Sequence, residues 1–98
     1  MQRLSIDKVM NQQFSFNADK NLWLVTLTHG QTSTLVSVNI NNVEIVTAIR
    51  AVSDTPILFN TFLGRFGNLV FSCGDDVVPD HTKFDESHIL YYLSPGEL

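Results

Sequence analysis

Read from its N-terminus, the chain alternates apolar and polar residues at period two. The clearest case is Gln13–Asn17, QFSFN, where Phe14 and Phe16 fall on one side and Gln13, Ser15 and Asn17 on the other. Aromatic residues in strict alternation predict a half-buried strand. Ala18-Asp19-Lys20-Asn21 follows with turn chemistry, because Asp and Asn hydrogen-bond their own backbone there. Leu22–Thr28, LWLVTLT, is apolar on both faces, which predicts a central strand or one covered by a partner. His29–Ser33 reads as a turn, and Thr34–Ile40 alternates again, with Val36, Val38 and Ile40 together. Asn41-Asn42 has the tolerance for left-handed backbone that a two-residue hairpin demands.

Val43–Val52 predicts a long strand whose two-sided apolarity leaves room for a bulge. Pro56 breaks the ladder after it. Ile57–Leu63 is short enough for an extended segment or a single turn and also fits a helical stripe; the extended or single-turn reading is preferred. Gly64 and Gly67 bracket a turn, Asn68–Cys73 is a strand, Gly74–Glu86 is an acidic loop, and His88–Leu93 is a closing strand. A weak alternation at Arg3–Ile6 adds a short edge strand, and Asp7–Gln12 a turn. The most apolar stretch, Val43 to Ser72, is the expected centre of the fold. The expectation is one all-β domain over residues 1–98. It would be a small sandwich or partly closed barrel of about seven short, mostly antiparallel strands, with no helix of normal length.

Composition narrows the function. Ninety-eight residues make one domain. Charged residues are 16% of the chain and the formal charge is −4, so phosphate-driven nucleic-acid binding is disfavoured, as is attraction to anionic membranes. MQRLSIDKVMNQ has no apolar core of a signal peptide, and no run is long enough to span a bilayer, so no membrane anchor is expected and synthesis in a cytoplasm is. The single cysteine, Cys73, fits a reducing compartment.

No catalytic constellation emerges. His29, His81 and His88 lack zinc-ligand spacing, although His81 and His88 could converge across the late loop. Asp75, Asp76, Asp80 and Asp85 do not follow a calcium-loop pattern. Cys73 lies beside Asp75 and Asp76, which would raise its pKa, so it reads as structural. No catalytic residue, metal or cofactor is therefore expected, and no enzyme. The aromatic residues are more informative. Tyr91 and Tyr92 must point to opposite faces of a strand, and Trp23 opposes Leu22 and Leu24. If the fold has one main core, some of Trp23, Phe62, Phe66, Tyr91 and Tyr92 stay exposed, as a protein interface does, whereas a closed two-layer structure would bury most of them; the two readings weigh equally.

The order of segments resembles the small baseplate plug proteins of contractile-tailed bacteriophages. The resemblance lies in Asn11-Gln12-Gln13-Phe14, the strand Trp23–Thr28, Ile45-Val46-Thr47-Ala48-Ile49, Ile57-Leu58, Gly67-Asn68-Leu69-Val70, the acidic Pro-containing loop, and Leu90-Tyr91-Tyr92-Leu93. It covers nearly the whole chain; the order and spacing of the motifs carry it. The chain departs at Thr32-Ser33-Thr34, where the family often has a Gly-rich hairpin, and at Ala48, where it often has Gly. The resemblance implies a structural virion protein of the tail baseplate that plugs or bridges the central hub region. Its partners would be hub, spike, tube or wedge subunits, and threefold hub symmetry implies a homotrimer. The alternative weighed from the aromatic residues is an OB-like barrel binding a ligand or single-stranded nucleic acid, whose basic groove this charge balance does not supply.

Overall fold

The computed structural model describes residues 2–30, 33–58 and 67–94. Seven strands run in order: β1 Gln2–Leu4, β2 Gln12–Ala18, β3 Asn21–His29, β4 Thr34–Ile40, β5 Val43–Arg50, β6 Asn68–Ser72 and β7 Ile89–Leu93. They form two antiparallel sheets, a four-stranded meander β2-β3-β4-β5 and a three-stranded sheet β1-β7-β6. The fold is an open sandwich and not a barrel, as the absence of any pairing between the two sheets' named strands shows. The described residues contain no α-helix, only a 3-10 turn at His81–Lys83, and so no helix that could cross a membrane.

Two tight turns build the meander. Asp19 and Lys20 have φ of 50° and 68°, Asn41 and Asn42 of 54° and 67°. Positive φ at both central residues is the type I′ geometry that matches strand twist. The turns are also tied together. Asn41 Oδ1 accepts from the Leu22 N–H at 2.9 Å, and Asn41 Nδ2 donates to Asn21 Oδ1 at 2.8 Å.

Alternation then sorts the faces. Trp23, Val25 and Leu27 of β3 and Val36, Val38 and Ile40 of β4 point inward and are all but fully buried. Leu4, Leu69, Phe71, Leu90 and Tyr92 meet them from the small sheet. Burying such a side chain stabilises by about 1.5–3 kcal/mol.

The most apolar stretch enters the core through Ala51, Ile57, Leu58, Leu69 and Phe71, whereas its first strand buries only Val46. β5 is an edge strand, and mostly exposed or half-buried. Its pairing with β4 slips on both sides of Val38, and Ala48 adopts φ 53° while its N–H is taken by Ser37 Oγ at 2.9 Å. These bulges allow Val46 and Ile49 to pair with Val38 and Val36 although they are three apart and not two. Left-handed backbone at this position suits glycine, the residue whose absence marked Ala48 in the sequence. β7, expected to close the sheet, is its central strand, flanked by β1 and β6. The ambiguous segment enters the described residues only at Ile57 and Leu58, both buried; the rest of it lies outside them.

Candidate functional site

The expected interface residues separate by strand parity. Trp23 is fully buried and Tyr92 nearly so, both on inward positions. Neither offers its ring to a partner in this fold, so of the five candidates these two follow the two-layer reading. They join the two sheets instead. Phe16 stacks on Trp23 at 5.7 Å between ring centroids, and Tyr92 meets Trp23 edge-on at 5.3 Å. The Tyr92 hydroxyl donates to Asp19 Oδ2 at 2.7 Å, fastening the small sheet to the β2–β3 turn. Such aromatic pairs each add about 0.5–1.5 kcal/mol beyond area burial.

Tyr91 points the other way. Register places it between Arg3 and Val70 on the outer face of the small sheet, with Ile89 beside them on the same face. Tyr91, Val70 and Ile89 are each half-buried. Phe62 and Phe66 lie outside the described residues.

The late loop exposes its acidic residues Asp75, Asp76, Asp80 and Glu86, as its composition suggested, but it is anchored at one buried side chain. His88 is 1% exposed and holds the loop from within. The Asp80 backbone N–H donates to His88 Nδ1 at 2.8 Å, which makes that nitrogen an acceptor. The proton then resides on Nε2, which donates to Asp76 Oδ2 at 2.7 Å. Lys83 Nζ donates to the same oxygen at 3.2 Å. These bonds, His88 first and Lys83 next, hold the Asp76 carboxyl below the usual carboxylate range. Asp80 caps the 3-10 turn through the Thr82 N–H at 3.0 Å, and that bond lowers its pKa as well. Asp85 takes Arg3 at 2.9 Å, and Glu86 takes Lys8.

This arrangement spends its reactive groups. Both ring nitrogens of His88 are engaged, so it has no lone pair for a base or a metal. His81 faces His29, edge-on at 5.0 Å between ring centroids. Among the described residues no three His, Cys, Asp or Glu side chains group around a point that would suit a metal. Burial above all raises the Cys73 thiol pKa, with Asp54 and Asp76 adding to it, while a bond to Ser53 opposes. Asp54 is thus the sequence-distant contributor where the adjacent Asp75 had been expected.

Asn68 was missed by sequence reasoning, although an Asn opening an apolar strand is the available signal. It is 1% exposed and behaves as a piece of backbone. Its Oδ1 accepts from the N–H groups of Leu58 at 2.8 Å and Leu69 at 2.9 Å, and its Nδ2 donates to the Leu58 carbonyl at 2.7 Å. With Ile57 N–H to Leu69 O at 2.9 Å and Asp54 N–H to Phe71 O at 2.8 Å, this seals segment 54–58 along the outer edge of β6.

No curated protein matches the chain. A family model described as the cyanophage baseplate Pam3 plug gp18 matches residues 1–95. That span takes in both sheets, the Asn68 clasp and the His88 loop, and so the whole described fold: the chain belongs to this phage baseplate plug family.

Proposed function

We propose that this chain is a structural plug of a phage tail baseplate and works by contact with neighbouring tail proteins at the central hub region. The observation that carries the reading is the family match along residues 1–95. The side chains support it. His88, Asp76 and Asp80 are committed to folding the loop, and the thiol is buried, which leaves packing and surface contact as the chemistry on offer. The role is therefore proposed as non-enzymatic, with no cofactor. The partners proposed are hub, spike, tube or wedge subunits, the copy number three, and the site of synthesis the host cytoplasm. At a formal charge of −4, nucleic acid is not among the partners proposed.

Tyr91, with Val70, Ile89 and Arg3, is the face proposed for the neighbour. A half-buried tyrosine flanked by aliphatic residues and an arginine matches the composition of interface centres. The test is Tyr91→Ala in a complemented phage. Loss of a central tyrosine costs about 2 kcal/mol, ~30-fold in affinity. The expected result is a soluble, folded chain that is depleted from purified baseplates. Full incorporation of the variant would remove this face from the proposal, and absence of the wild-type chain from baseplates would remove the function itself.

A further inference from the structure

The sheets have four edges, and three are protected. β6 is covered along its edge by segment 54–58. β5 is bent by two register slips and carries Glu44 and Arg50. β1 has only three residues, one of them Arg3. These are the devices by which sheets avoid pairing with strangers. β2 has none of them. It is seven residues long, pairs with β3 without a slip, and contains no charge and no proline.

Turn geometry decides which of its backbone groups face outward. Ala18 and Asn21 flank the two-residue type I′ turn and so form a hydrogen-bonded pair. Alternation along an antiparallel ladder then commits Phe16, Phe14 and Gln12 to β3. It leaves the N–H and C=O of Gln13, Ser15 and Asn17 directed away from the sheet. All three residues are exposed, and among the described residues no backbone group bonds to them from that side.

We propose that β2 is a docking edge for a second copy of this chain, paired antiparallel about a two-fold axis at Ser15. The occupant is indicated by the segment's own near-palindrome, Gln13-Phe14-Ser15-Phe16-Asn17. Centred on Ser15, the pairing sets Gln13 against the second copy's Asn17 and Phe14 against its Phe16. Every outward N–H then meets an outward C=O, amide lies beside amide, and ring lies beside ring. No charge is brought against a like charge, because the strand has none. The half-buried faces of Phe14 and Phe16, left open at this edge, are covered by the same contact. The inference concerns the free chain and does not rest on the baseplate reading; a threefold assembly would have to open the pair or be built from pairs.

Sedimentation equilibrium of the full chain over about a hundredfold range of concentration tests it. The expected limit is twice the 11.0 kDa chain mass. Ser15→Lys places two cations on the axis and should return the mass to that of one chain with an unchanged circular dichroism spectrum. Ser15→Cys should cross-link to its own second copy with a short bismaleimide, because a hydrogen-bonded pair sets its Cα atoms about 5.5 Å apart with both side chains on one face. Cys73, 2% exposed, does not compete. A wild-type chain that stays at single mass or forms trimers overturns the proposal. So does a folded Ser15→Lys variant that still pairs, or a Ser15→Cys variant that pairs without cross-linking.

Discussion

Replacing Asn68 by Ala tests whether one side chain holds the 54–58 segment on the small sheet. The substitution removes an oxygen that accepts from two N–H groups and an amide that donates to a carbonyl. The groups left behind belong to Leu58 and Leu69, residues 2% and 0% exposed, where water does not reach without opening the edge. Each unsatisfied buried group costs about 1–3 kcal/mol. Taking the low end for all three gives a loss of about 3 kcal/mol, a large share of the ~5–15 kcal/mol that holds a domain of this size. For this length the melting temperature should fall by roughly 12–24 °C. Urea unfolding followed by the fluorescence of Trp23, the single tryptophan and a fully buried one, reads the change directly. Asn68→Asp should be no milder, since it sets a carboxylate oxygen against the Leu58 carbonyl and buries a charge. A loss below about 1 kcal/mol for Asn68→Ala would refute the reasoning, because it would mean that the clasp's groups find water without cost.

Two other predictions concern the loop and the bulge. Asp76 and Asp80 have folded pKa values below their ordinary ones, so their contribution to stability is present above the unfolded carboxylate value of about 3.9 and is lost as pH falls through the lower folded values. Urea midpoints measured down the acid limb should drop there, and Asp76→Asn should flatten the drop; an unaltered limb in that variant contradicts the assignment. At Ala48, left-handed backbone costs an L-residue about 1 kcal/mol, part of which glycine's freer unfolded chain offsets. Ala48→Gly should therefore gain ~0.5 kcal/mol and raise the melting temperature by about 2–4 °C, and a fall on calorimetry would show that the bulge depends on the methyl group.

Most strands were legible because their signals are local. Alternation in Gln13–Asn17 and Thr34–Ile40, and the turn residues Asp19-Lys20 and Asn41-Asn42, act within a few bonds of where they sit. The bulge in β5 was open to sequence reasoning, since two-sided apolarity over ten residues does not fit one flat strand. The aromatic residues were left unsorted. Trp23 sits on a strand whose two faces are both apolar, so hydropathy has no preference between them, and Leu22 became the exposed side at 39%. Tyr92 is chosen over Tyr91 by the second sheet, which lies over one face of β7 only.

The same division runs through the functional reading. Period-two patterning and turn chemistry determined the sequence-local facts, an all-β domain and its hairpins, while family membership came from likeness along residues 1–95 and not from patterning. Which strands are edges, which tyrosine is left outside, and how Asp76, Asp80 and His88 close on one another were decided by tertiary structure alone. Those outcomes depend on contacts between residues far apart in the chain. A strand's own pattern says which residues share a face, but only the layer packed against it says which face is covered.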